Sequence, residues 1–301
     1  MTSRKRMIMV GGTVSLLVSG TMASGGAAAG TTITIADKGF TESFAVTQAY
    51  AQALQARGFK VTIKSLASTA VADAAIRKGS IQMYPDYTVS LLTSVLGFKS
   101  VPRTIAGQVD AIKTGYKTRK VTVLNAAAFN NDNQVACTKA AVDKNKLTTL
   151  SSLGAASANL VYSANPEHTV RPDGLPLLKS DYGVNFKEVI QVDIGLRYKP
   201  VEDGQAQCVY AFGTDPKISK DGLIVLTDDK GKFGGAPYQG IPVVSSVYLK
   251  TAPKSFTTIV NRVSALLTSQ TIRDMNSRIE LDKEDPKDVA RDLLKSAGFV
   301  K

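Results

Sequence analysis

Two tyrosines and a carboxylate fall together where the run IQMYPDYTVS (81–90) passes from apolar, strand-like residues into Tyr84, Pro85, Asp86 and Tyr87. Aromatic faces carry negative quadrupole charge, so rings beside an Asp can hold a quaternary ammonium that has no hydrogen to donate. The same residues also suit a strand end whose tyrosines are half-buried packing, since Tyr is commonly intermediate in burial. Arg171 opens RPDGLP (171–176), where two prolines and a glycine stiffen a turn. A guanidinium fixed there can fork onto a carboxylate with charge-assisted hydrogen bonds, or simply pair with Asp173 at the surface. Residues for catalysis do not assemble in this way. No G-x-S-x-G elbow occurs, GKFGG (231–235) lacks the GK[ST] ending of a phosphate cradle, and His168 reads as a loop residue beside Arg171 rather than a general base. A single histidine and two cysteines give no metal-ligand spacing, so neither an enzyme, a metal site nor a cofactor is expected.

The elements that must position these groups follow from periodicity. Thr32 to Ala36 alternates as a short strand, and Thr41 opens a helix to about Arg57 with Phe44, Thr47, Tyr50, Ala51 and Leu54 on one stripe. Gly58 stops it, and Lys60 to Leu66 alternates again, completing a β-α-β unit. Ser68 or Thr69 begins a second helix closed by Gly79, before a strand from Ile81 to Tyr84. Tyr84, Asp86 and Tyr87 therefore sit at a strand's carboxyl end, and Lys38, after the first strand, shares that rim. Open α/β sheets bind ligands there. Helices at 89–96 and 103–116 and a strand at 121–124 follow, and the polar residues 130–134 look like a crossover into strands at 135–138, 160–163, 186–192 and 207–212. A return crossover is expected at 212–215. Beyond it 224–226 and 242–249 are strand-like, 256–267 is helical, and Asp285 and Pro286 open a last helix that Gly298 ends.

Composition bounds the setting. Arg4, Lys5 and Arg6, the apolar run 7–18 and the small residues 21–30 have the order of a cleavable secretory signal, expected over 1–29. That run is too short and glycine-broken to span a bilayer, and no cysteine in the leader could carry a lipid anchor, so a secreted protein of the periplasm or cell envelope is expected. The net charge of +12 is spread without a basic run or an aromatic-basic motif, which argues for a solvated surface and against nucleic acid. In an oxidising compartment Cys137 and Cys208 are a disulfide candidate, with two buried thiols as the alternative.

ADKGFTES (36–43), YPDYTVSLL (84–92), RPDGLPLLK (171–179) and DDKGKF (228–233) together resemble the osmoprotectant-binding proteins of ABC importers, the receptors for glycine betaine, choline and carnitine. The resemblance implies an α/β, two-lobed periplasmic-binding-protein fold of the type II-like, Venus-flytrap kind. Its first lobe would be discontinuous, 31–130 and 214–301, its second 131–213, with two crossover hinge segments between them. It further implies Tyr87 and Tyr198 as walls of a cation cage, with Phe212 and Asn133 where other ring residues stand, and Lys38, Arg171 and Ser90 on a ligand carboxylate. Tyr84 and Asp86 are secondary candidates. Asn133 in place of a ring forfeits a contact of about 0.5–2 kcal/mol. Its hydrogen-bonding capacity also admits a second expectation, a hydroxyl-rich or phenolic ligand in the same fold. The implied partners are a small-molecule ligand and a membrane permease with its ATPase, with membrane contact only through the permease and the receptor itself a monomer.

Overall fold

The computed structural model describes residues 30–300, so the expected leader at 1–29 lies outside the described residues. In chain order the strands are β1 (Thr32–Asp37), β2 (Lys60–Ser65), β3 (Met83–Tyr87), β4 (Val121–Val123) and β5 (Asn133–Cys137). They continue with β6 (Val161–Ala164), β7 (Glu188–Gln191), β8 (Cys208–Phe212), β9 (Ile224–Val225) and β10 (Gly240–Ser245). Two five-stranded sheets result, ordered β2-β1-β3-β10-β4 and β7-β6-β8-β5-β9. In the first, β1 lies parallel to β2 and β3 while β10 runs antiparallel to β3 and β4. In the second, β6 lies parallel to β7 and β8 while β5 runs antiparallel to β8 and β9. Each sheet thus joins a parallel α/β unit to one reversed strand, and that strand is the one by which the chain enters from the other lobe. The fold is α/β and two-lobed.

Local signals explain why the helices start and stop where they do. The helix Thr41–Gln55 ends before Gly58, whose φ of 89° suits glycine. Ser68 accepts the Val71 N–H to cap the helix Thr69–Arg77. Asp285 accepts the Lys287 N–H to cap Pro286–Ser296. Burial then builds the core on both faces of the first sheet. One face packs Ile33, Ile35 and Met83 against Tyr50, Leu54, Phe256, Val260 and Leu294, and the other packs Tyr84, Val121 and Val243 against Leu91, Ile112 and Tyr116.

Several elements differ from expectation, among them the run 242–249, which is a strand only to Ser245 and continues as the helix Ser246–Thr251. β3 runs on to Tyr87 although it contains a proline, because Pro85 lies directly opposite Pro242 and the two missing donors fall at one rung. The helix Ser269–Glu280 was not anticipated; its buried apolar residues are only Ile272 and Met275, too thin a stripe to stand out among polar neighbours. The return to the first lobe was expected at 212–215, but β9 pairs with β5 at Ala136 and Cys137, so residues 224–225 still belong to the second sheet. The chain rejoins the first sheet only at Gly240. The segment 212–215 touches the first lobe without crossing to it, through Thr214.

Cys137 and Cys208 are opposite residues of the β5–β8 ladder and form a disulfide across 71 residues of sequence. A closed loop of that length lowers the entropy of the unfolded chain by about 4 kcal/mol at room temperature.

Candidate ligand-binding site

A small cavity of about 30 Å³ lies between the lobes at the carboxyl ends of the parallel strands. After β1 the chain delivers Lys38 and Phe40, at the end of β3 Tyr87 and just beyond it Ser90, after β6 Asn165 and Glu167, and at the end of β8 Phe212. Gly39 has φ of 74° and its N–H is held by Asp37, a tight turn that sends Lys38 and Phe40 into the cleft. The rings form a row across the lobes. Phe40 stacks near Tyr87 at 6.5 Å between centroids and meets Phe212 from the second lobe at 6.1 Å, and Tyr210 stands edge-on to Phe212 at 4.8 Å. Together these faces are a surface for a compact cation.

A positive charge already rests on that surface. Lys38 Nζ lies 4.8 Å from the Tyr87 ring centroid and 6.0 Å from that of Phe40. It donates to Asp86 at 2.6 Å and to Thr69 at 3.2 Å, so the ammonium is neutralised within the first lobe. Arg171 is likewise paired: its Nε and Nη2 fork onto Asp173 at 3.0 and 2.5 Å, while Nη2 also donates to Ser90 Oγ of the other lobe at 3.0 Å. Burial opposes both charges, but each outweighs that for the other: Asp173 is held below the usual carboxylate range and Arg171 is pushed above its ordinary value. Thr93 donates to Asp173 and the Thr69 N–H donates to Glu167, two further bonds between the lobes. The lobes are closed over the cavity.

Asn133 lines the cavity with its amide already engaged. Its Nδ2 donates to Tyr238 and to the Asp173 carbonyl, and its Oδ1 accepts from Tyr210. The hydrogen-bonding capacity that motivated a hydroxyl-rich or phenolic ligand is therefore consumed inside the protein. His168 is buried against Tyr210, ring centroids 3.8 Å apart, and shares a hydrogen bond with Tyr162. It sits in the helix Pro166–Val170 rather than in a loop.

Of the residues singled out in the sequence, Lys38, Tyr87, Ser90, Asn133, Arg171 and Phe212 line this one cavity. Asp86 stands directly behind Lys38. Two candidates lie elsewhere. Tyr84 is three residues before Tyr87 on a strand, hence on the opposite face, where its hydroxyl meets that of Tyr116. Tyr198 packs on Ala136, Val209 and Ala211, the opposite-facing residues of β5 and β8, and its hydroxyl donates to Asp215 at 2.7 Å. Beside it Arg197 pairs with the same Asp215, which fixes the ring away from the cleft. Missing from the sequence reading were Phe40, Tyr210, Tyr238, Asn165 and Glu167. Phe40 had a signal, since it stands two residues after Lys38 behind a glycine; the rest depend on long-range packing.

Among the described residues no helix is long and apolar enough to cross a membrane, and no cluster of potential metal ligands occurs. The family model for the substrate binding domain of ABC-type glycine betaine transport systems matches residues 31–296. The ergothioneine transport permease/ergothioneine binding protein EgtU of Helicobacter pylori is 29% identical over 226 residues, 75% of this chain and 40% of that protein, so the chain spans well under half of it. A glycine-betaine-binding protein of Pseudomonas aeruginosa is 27% identical over 283 residues, covering 90% of this chain and 89% of the other. Among solved structures, one titled as a glycine betaine/carnitine/choline ABC transporter superposes with a TM-score of 0.67 at 23% identity, over 89% of this chain and 99% of the other, a likeness of fold. With two sheets of the same kind, a closed cleft between them and a family match over nearly all of the described residues, the chain belongs to the family of substrate-binding domains of ABC-type glycine betaine transport systems.

Proposed function

We propose that this protein is an extracytoplasmic receptor that captures a compact quaternary-ammonium solute between its lobes and delivers it to an ABC permease driven by an ATPase. The observation that carries the reading is the row of rings Phe40, Tyr87 and Phe212, drawn from both lobes around one cavity, with an ammonium seated on the Tyr87 face. Each ring face in contact with a cation contributes about 0.5–2 kcal/mol. A ligand touching Tyr87 and Phe212 at once is bound better with the lobes closed than open, and that difference is what drives closure. Lys38, Ser90 and Arg171 are the polar anchors beside the rings. Any ligand carboxylate that reaches them shares them with Asp86 and Asp173.

Calorimetric titration with glycine betaine, choline and carnitine tests the reading. The wild type is expected to bind at least one of them, Tyr87→Ala and Phe212→Ala each to weaken binding by about tenfold, and Tyr198→Ala to leave it within about twofold. Affinity that survives loss of both cleft rings would contradict the assignment. The Helicobacter pylori relative is named for ergothioneine, which adds that compound to the same titration.

A further inference from the structure

Asn165 is 6% exposed and stands immediately before the helix Pro166–Val170, yet its side chain does not cap that helix. It lines the cavity instead, and its buried Oδ1 has no hydrogen-bond partner. A buried carbonyl oxygen without a donor is unfavourable, and in a native structure it calls for a partner. Two residues on, Glu167 lines the same cavity, and the one hydrogen bond to its carboxylate among the described residues comes from the Thr69 N–H. The cavity's other charges cancel, Lys38 with Asp86 and Arg171 with Asp173, so the Glu167 carboxylate leaves it with an unbalanced negative charge. An acceptor without a donor, an excess negative charge and a row of ring faces together suit a ligand that is cationic at one end and donates a hydrogen bond at the other.

Resting on the function proposed above, we propose that Asn165, with Glu167 beside it, is a specificity-determining acceptor, and that the preferred ligand is a quaternary ammonium compound bearing an O–H or N–H donor. Asn165 selects among such cations; the rings bind them all. A donor that meets Asn165 Oδ1 inside the closed cleft satisfies a group that a purely apolar tail would leave bare, so discrimination comes from the penalty on the wrong ligand as much as from the gain on the right one.

The test compares choline with propyltrimethylammonium, in which a methyl group replaces the hydroxyl at nearly constant size. On the wild type, calorimetry is expected to find choline about tenfold or more tighter. Asn165→Leu is expected to bring the two within about twofold by weakening choline, while Asn165→Asp, which keeps an acceptor oxygen, retains the preference and serves should the leucine variant fail to fold. Equal affinities on the wild type, or a preference that persists in Asn165→Leu or vanishes in Asn165→Asp, would overturn the inference while leaving the receptor function standing. Binding of neither cation to the wild type would overturn the inference, and the receptor function with it only if glycine betaine and carnitine also fail to bind.

Discussion

At the scale of single residues, His168 is the most legible reporter of the site, because it is the chain's one histidine and stacks on the cavity residue Tyr210. Burial first, and the Arg171 charge second, push its imidazole down from 6.5 to about 3. The unfolded chain takes up this proton near the ordinary value and the folded chain does not, so its contribution to stability is full above 6.5 and is lost as pH falls towards about 3. Proton NMR is expected to show one set of imidazole resonances holding the neutral shift from about pH 8 to about pH 5 in the folded protein. A titration midpoint near the ordinary histidine value would contradict that burial. The tyrosines show what residue-level reading misses. YPDY suits either a cation site or a packed strand end, and which tyrosine faces the cleft depends on where the strand ends; the structure ends it at Tyr87, which turns Tyr84 into the core. Tyr198 is held away from the cleft by its bond to Asp215, a partner 17 residues on that no local pattern reveals.

At the scale of elements, the forward crossover at Asn131 and the segment 212–215 converge on one carboxylate. Glu42, at the start of the helix Thr41–Gln55, accepts from Tyr87 at 2.5 Å, Asn131 at 2.8 Å, Thr214 at 2.5 Å and Asn276 at 3.1 Å. Burial raises its carboxyl above the usual glutamate value, opposed by these same bonds. It therefore ties the ring that faces the cavity to the forward crossover at Asn131 and to the contact at Thr214. Glu42→Ala leaves the Tyr87 hydroxyl and the Asn131 amide without an acceptor, each buried loss worth about 1–3 kcal/mol, while Thr214 and Asn276 keep their bonds to Asn131 Oδ1 and the Thr214 carbonyl. The expected outcome is a fall of about 3 kcal/mol or more in unfolding free energy by urea titration, with weaker ligand binding because Tyr87 loses its tether. A variant within about 0.5 kcal/mol of the wild type would show that Glu42 holds nothing together. Helices with local punctuation, such as Thr69–Arg77 with Ser68 before it and Gly79 after it, were readable almost to the residue. β9 was readable as a strand, but its sheet was not, because Ile224 and Val225 declare their partner only through pairing with β5.

At the scale of the whole molecule, the sequence placed Lys38, Asp86 and Tyr87 at strand ends of one lobe and Arg171 in a stiff turn of the other, and the structure brings these two regions face to face. Lys38, Tyr87 and Ser90 from the first lobe meet Asn133, Arg171 and Phe212 from the second around a single cavity. What the motifs could not convey is how the site's charges are spent, since the pairs Lys38–Asp86 and Arg171–Asp173 arise only in the folded chain. The central claim is that this cavity reads a positive charge through its rings. Competitive calorimetry of choline against its neutral tert-butyl analogue, in which carbon replaces the quaternary nitrogen at the same shape, isolates that charge. Choline binding at least about tenfold tighter than the analogue is the expected result for contact with two or more ring faces. Equal affinity for the two would contradict it, because a cleft that held them alike would be sensing shape and apolar area alone.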